Sequence, residues 1–386
     1  MARARPPGTP PQDGLRYRRS PHLVCYWTSG RFILHNYATG RIVPATPFVC
    51  DVLNFFDDWR STGDLSAAVS ADRALLGRLV RVLERSSLLQ RDDRPPHPAE
   101  RAMSTFSRWN PPAGFFHTST KDVRFISARA ASANVRRQAR FWPVPAAVKR
   151  YRHAPVIRLP RPVIDDPVAR VALERRTWRR FSGRKLPLAA LSTLLGLTAG
   201  VQKWVTVPVY GKVPLKTSPS GGARHPIELY VVTWGVDGVA PGLYHYASDT
   251  HVLERLRRGV RPRQVAKYLP LSGYFARAAF LVLFTAVFER QLWRYPYARA
   301  YRAALIETGH MAQTFCLAAT SMGLAPFCLM GLADSAIERD LGIDGITESV
   351  LYAAGAGCRP RGATWAPLPS GTLEALPNPY LSSRRS

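Results

Sequence analysis

Apolar residues recur along this chain in two rhythms. Between His22 and Pro47 they come in short runs, LVCYW, RFILHNY and RIV, separated by Ser29-Gly30 and Thr39-Gly40. Short β-rich runs punctuated by turn formers predict two or three strands. The spacing then changes: Phe48, Val49, Val52, Leu53, Phe55 and Phe56 fall at helical intervals. Gly63-Asp64 is expected to break that helix. A short helix near Leu65 follows, then a long one from Ala71 to Leu89 with Leu75, Leu76, Leu79, Val80 and Leu83 on one face. Strands followed by about three helices predict a winged-helix-like module over residues 21–92, behind a disordered tail over residues 1–20.

Asp92 to Pro98 reads as a boundary, since its charges and prolines suit neither helix nor strand. Residues 93–165 then form a basic, Pro-rich connector of poor pattern, with Trp109, Phe115, Phe116 and Phe125 scattered in it. Its polar run from His117 to Asp122 reads first as a surface loop and second as a segment near an active site. Pro143, Pro145, Pro155, Pro160, Pro162 and Pro167 mark an extended crossing. Periodicity resumes at Asp166-Pro167 and defines a domain over residues 166–386. Helices are predicted at its start, over Leu188 to Val201, near Pro262 to Leu269, and from Tyr301 to Met322. Strands are predicted at Tyr230 to Trp234, Gly242 to Tyr246, Ala279 to Val287, Ala325 to Gly331 and Ser349 to Ala354, the last running into a turn from Gly355 to Arg359.

Composition narrows the class. A length of 386 residues suggests two domains, and 46% hydrophobic residues suffice for a sizeable core. MARARPPGTPPQDG lacks the apolar run of a signal peptide, and Ala278 to Phe288 is too short to span a bilayer. A soluble, cytoplasmic protein with no membrane association is expected. Five cysteines, far apart and without a CxxC, argue against a disulfide framework and a zinc site, and predict buried free thiols. The net charge of +28 comes from 54 basic residues, of which only seven are lysine, a bias that also fits genome-wide composition. From Arg101 to Arg161 thirteen basic residues face one acid, Asp122. Such a stretch is either a solvated linker or a face for an acidic peptide, with nucleic acid ranked below the peptide.

Candidate chemistry sits in five places. Arg175, Arg176, Thr177 and Arg179 form a guanidinium-rich run suited to forked bonding of a phosphate. A charged helix end is the competing reading. Pro219, Ser220, Gly221 and Gly222 lead into a strand, so backbone N–H groups can approach a planar or anionic ligand. Here the plain alternative is a turn. Gly242 to Tyr246 reads as a further strand. Trp293 to Arg302 carries Arg294 and Tyr295 ahead of Arg299-Ala300-Tyr301-Arg302. Glu307, His310 and Gln313 recur along one broad side of the long helix. No GxGxxG or GxxxxGK occurs, which argues against a separate NAD domain and against ATP hydrolysis.

Taken in order, these stretches resemble the FMN-dependent nitroreductase superfamily, and within it the SagB-type dehydrogenases that oxidise azolines to azoles in peptides. The resemblance covers about Val168 to Pro367. It implies an α+β nitroreductase-like fold, an FMN cofactor, and a homodimer with FMN between subunits. It places Arg175, Arg176, Thr177 and Arg179 on the FMN phosphate and ribityl chain, with Arg359, or alternatively Arg361, joining them. It places Pro219, Ser220, Gly221, Gly222, Met330, Gly331 and the Gln313 region near the flavin. Ala223 and His225 stand where the wider family has Asn and Gln, a departure the subgroup shares. SagB-type members carry a Lys-Tyr pair implicated in proton removal. Tyr295 keeps the tyrosine and Arg294 replaces the lysine, so Tyr295 is the candidate base and Arg294 its electrostatic partner, unless the pair marks altered chemistry or merely packs. The N-terminal module matches small domains that capture a leader peptide as an added edge strand. Two other functions remain open: a nicotinamide-dependent nitro or enone reductase, and a basic nucleic-acid-binding protein on a degenerate flavin fold.

Overall fold

The computed structural model describes residues 14–123, 125–149, 155, 157, 159–160, 166–270 and 272–363. The first thirteen residues of the expected tail, Pro162 of the crossing and the stretch from 364 onward lie outside the described residues. The chain divides into two compact units, Met1–Lys121 with Leu292–Tyr301, and Asp122–Gln291 with Arg302–Ser386.

The first unit opens with β1 (Arg16–Arg19), β2 (Leu23–Thr28), β3 (Arg31–Asn36) and β4 (Arg41–Pro44). Next come α1 (Pro47–Phe55), β5 (Arg60–Ser61), α2 (Thr62–Ala68), α3 (Arg73–Arg85) and β6 (Leu89–Arg91). Two three-stranded sheets form, β2-β3-β4 and β5-β1-β6. The module is therefore strand-rich, and three of its strands went unforeseen. Arg16–Arg19 is not tail but the middle strand of its sheet, with Tyr17 buried beneath Phe56. Gly63 and Asp64 do not end a helix; they lie in the first turn of α2, where Ser61 and Asp64 form a capping box. The long helix stops at Arg85, and Leu88 and Leu89 turn back into the core. Of its expected apolar face, Leu76, Val80 and Leu83 are buried while Leu75 is exposed.

The connector is not patternless. It holds α4 (Pro98–Met103) and α5 (Pro112–Thr120) in the first unit and α6 (Ala128–Phe141) in the second. Phe106 and Trp109, one of the scattered aromatics, are fully buried. His117 is not on a surface loop: it is a buried α5 residue.

The second unit continues with α7 (Pro167–Glu174), α8 (Leu188–Ala199), β7 (Val201–Val207), β8 (Gly211–Lys216), β9 (Ile227–Thr233), β10 (Gly242–Ala247) and β11 (Val252–Arg258). Then come α9 (Pro262–Tyr268), β12 (Phe280–Val287), α10 (Phe288–Arg294), α11 (Tyr301–Ser321), β13 (Leu324–Leu329), α12 (Asp334–Leu341) and β14 (Glu348–Cys358). Six strands form one antiparallel sheet in the order β11-β10-β9-β12-β14-β13, and β7 and β8 form a separate hairpin. β12, buried along its length, is a continuous apolar run because both of its faces are covered. The expected Gly355–Arg359 turn is absent, since β14 runs on to Cys358. Gly355 has no side chain because a Cβ there would meet the Phe280 carbonyl oxygen at 2.6 Å and also the Phe327 ring. Among the described residues no helix is long and apolar enough to cross a membrane. Of the cysteines expected to be buried, Cys316 is buried and Cys25 is exposed.

Candidate functional site

The arginine run lies beyond α7, whose C-cap is Arg175. From there the chain runs extended. The Trp178 N–H donates to the Pro326 carbonyl at 2.8 Å on β13, and the Ser182 N–H donates to the Cys358 carbonyl at 3.0 Å at the end of β14. Trp178 and Phe181 are buried and anchor the run in the core, which leaves the intervening arginines at or near the surface. Arg359 comes to the same place from β14. Its guanidinium lies 5.1 Å from the centre of the Trp178 ring. Its Nε donates to the Leu324 carbonyl at 3.0 Å and one Nη to the Thr320 carbonyl at 3.5 Å. Two of five N–H donors are thus used to fix the fork. Arg176 donates to the Leu173 and Arg175 carbonyls, while Arg179 and Arg361 are exposed. The structure therefore brings Arg359 onto Trp178, the neighbour in sequence of Arg175, Arg176, Thr177 and Arg179, while Arg176 is turned back onto α7. Composition gave no sign of Cys328, also within the field of Arg175. It is held below the usual thiol range, first by a hydrogen bond from Cys316.

The Gly-rich turn is a second group. Gly222, Ala223 and His225 all have positive φ, of 62°, 51° and 41°. Two of these residues carry a Cβ, so the backbone there is strained and has to be held. Glu307 on α11 holds it. Its carboxylate accepts from the Gly221 N–H at 2.9 Å and from Gln291 Nε2 at 2.7 Å. Ser218 bonds Thr314 at 3.0 Å, also on α11. Ser220 Oγ accepts from the His225 N–H at 2.8 Å. The His225 ring is turned onto the Pro214 carbonyl at 3.0 Å, and burial with the Lys216 charge lowers its pKa to about 4, so it is neutral. Burial pushes the Glu307 carboxyl above the usual carboxylate range. Sequence reasoning missed this role of Glu307. The three residues on the broad side of α11 differ in burial: Glu307 is buried, whereas His310 and Gln313, set off from it by about 60° and 120° around the helix, are exposed. Met330 and Gly331 follow β13 and are exposed, Met330 by 77%. They lie six and seven residues past Leu324, on the order of 20 Å along an extended chain from the carbonyl that holds Arg359.

Arg294 and Tyr295 belong to the first unit. The Arg294 guanidinium lies over the Tyr295 ring, 5.3 Å from its centre, a cation–π arrangement. The Tyr295 carbonyl accepts from the buried Trp109 indole N–H at 2.8 Å. At the end of the same segment Tyr301 bonds His117 Nδ1 at 2.9 Å. Two connector residues thus clamp this stretch, and a lone tryptophan in an irregular region gave no signal of it.

The profile of the nitroreductase family matches residues 172–358, which contain every candidate cofactor residue up to Cys358. A nitroreductase-type protein of Methanocaldococcus jannaschii is 31% identical over 173 residues, covering 45% of this chain and 83% of that protein. The chain belongs to the nitroreductase family. Its fold is accordingly the α+β nitroreductase-like one, with a strand-rich module ahead of it. The trifolitoxin-processing protein TfxB of Rhizobium leguminosarum bv. trifolii is 31% identical over 173 residues, covering 44% of this chain and 46% of its own length. The microcin B17-processing protein McbC of Escherichia coli is 30% identical over 141 residues, covering 34% of this nitroreductase-family chain and 50% of McbC. The chain thus spans about half the length of these two processing proteins.

Proposed function

We propose that this nitroreductase-family chain is an FMN-dependent dehydrogenase that oxidises a peptide-borne azoline to an azole, and that it works as a homodimer in the cytoplasm. The observation that carries the reading is the Arg359 guanidinium, fixed over Trp178 by two backbone carbonyls beside an arginine-rich run. Such a guanidinium suits a terminal phosphate monoester, and FMN ends in one whereas FAD does not. The residues fit the group: Arg175, Arg176, Thr177, Arg179 and Arg359 would hold the phosphate and ribityl chain. The Pro219–Gly222 turn, Met330 and Gly331 would flank the ring. Gln313, exposed on α11, would serve from a dimer interface. FMN supplies the two-electron acceptor for the hydride that aromatisation releases.

The chain itself must bind the peptide, exclude water and remove the C–H proton. Tyr295 is the proposed base, with Arg294 across its ring favouring the phenolate. Arginine cannot take that proton itself. The relatives that process trifolitoxin and microcin B17 support a peptide substrate. In the first unit, β2 and β4 are the outer strands of their sheet, which supports a winged-helix-like module that captures a leader peptide. The purified protein is expected to be yellow and to release FMN on denaturation. Replacing Arg175 and Arg179 by alanine should empty it; full occupancy in that variant would refute the phosphate assignment. Tyr295→Phe should keep FMN but lose at least about tenfold in turnover on an azoline peptide. A colourless wild type with steeply salt-dependent nucleic-acid affinity would replace the whole reading.

A further inference from the structure

A cavity of about 560 Å³ lies between α8 and the β10–β11 hairpin. It is at the β11 edge of the six-stranded sheet, whereas the arginine cluster borders β13 at the other edge. Five inter-strand steps separate those edges, about 24 Å. Leu188, Leu191, Leu195 and Leu253 supply apolar wall, and Arg255 is its one permanently charged residue. No acidic partner engages Arg255 among the described residues.

A hydrogen-bonded chain runs along the wall. Ser192 Oγ is 2.8 Å from His251 Nε2, and Tyr246 Oη is 2.7 Å from His251 Nδ1. With one proton on the imidazole, the three groups bring three polar hydrogens to two bonds. The third hydrogen is left at one end. Tyr246 is 2% exposed and meets no other partner among the described residues, so its O–H is satisfied only by donating to Nδ1. In that tautomer Nε2–H donates to Ser192, and the Ser192 O–H is left for a further acceptor. His251 takes part at a cost. Its φ is +56°, a turn position that favours glycine or asparagine. Its ring also rests on Gly196, where a Cβ would meet it at 3.3 Å. A strained residue held against a glycine notch points to a requirement for the ring beyond making the turn.

We infer that this cavity binds a small apolar monocarboxylate, its chain along the leucine wall and its head between the Ser192 hydroxyl and Arg255. A hydroxyl donor and a cation on an otherwise apolar wall complement an anion with an apolar body. The inference is independent of the flavin reading.

Calorimetric titration of the full chain with decanoate, and with decanol as the uncharged control, tests it. Decanoate should bind saturably at one site per chain, and decanol about tenfold more weakly or worse, a tenfold loss being the scale of one charged hydrogen bond. Ser192→Ala and Arg255→Gln should each weaken decanoate by about tenfold. His251→Gly should weaken it similarly; glycine suits the positive φ, which offsets part of the cost of leaving the Tyr246 hydroxyl without its acceptor. Failure of decanoate to saturate overturns the site. Equal binding of decanol and decanoate overturns the carboxylate assignment. If Ser192→Ala and His251→Gly bind like the wild type, the hydrogen-bonded chain is only a pin between hairpin and helix.

Discussion

Glu307→Ala tests how the strained turn is held. The carboxylate is the acceptor for Gly221 N–H and for the amide of Gln291, a residue with no exposed surface. Among the described residues Gln291 Oε1 already meets no partner, so losing the Glu307 contact strands the whole amide in the core. An orphaned buried amide costs about 1–3 kcal/mol, and the small cavity adds roughly 1 kcal/mol. Part of this is offset. Burial raises the folded pKa of Glu307, so the ionised group carries a desolvation penalty. For a carboxyl shifted this way the penalty is absent below the unfolded pKa and present in full above the folded one. The net expectation at neutral pH is a loss of about 1–3 kcal/mol. Glu307→Gln keeps an oxygen for both donors and turns its NH₂ to Ser220, so it should stay within about 1 kcal/mol of wild type. Urea unfolding followed by circular dichroism gives both numbers, and flavin retention reports the turn. Equal stability of Glu307→Ala and wild type, or equal loss in the two variants, would refute this account.

Three further outcomes follow from particular contacts. His245 lies 3.2 Å from Glu228 and 2.7 Å from Glu254, and the bond to Glu228 is the main cause raising its pKa to about 9. A raised histidine pKa stabilises fully below the unfolded value and is lost as pH rises through the folded one. Stability should therefore fall by on the order of 2 kcal/mol between about pH 6.5 and pH 10, with Glu254 discounted for its exposure. His245→Ala should flatten that segment of a stability–pH curve. Gly355→Ala forces a Cβ against the Phe280 carbonyl oxygen in a strand paired on both sides, and should cost about 3 kcal/mol or more in chemical denaturation. Trp109→Phe removes the N–H that holds the Tyr295 carbonyl, at about 1 kcal/mol of stability. On the proposed chemistry it should lower kcat severalfold and leave FMN content unchanged; a fall in FMN with kcat per bound flavin intact would assign Trp109 a different role.

Local patterning determined much of this protein. The apolar run of β12, the helical spacing of α8 and α11 and the Gly turns of the β2-β3-β4 sheet are properties of neighbouring residues, and each formed where its period placed it. Tertiary structure decided what those elements hold. β1 is a strand because β5 and β6, far along the chain, pair with it, and no period within four residues announces that. Glu307 reaches across 86 positions to Gly221, and Trp109 across 186 to Tyr295. Side-chain spacing on α11 fixed which residues could share a face, but the sheet and the turn packed against it chose Glu307 to be buried and left Gln313 outside. Periodicity is set by backbone geometry over a few residues, whereas burial and hydrogen-bond partners are set by which distant segments the collapsed chain brings together.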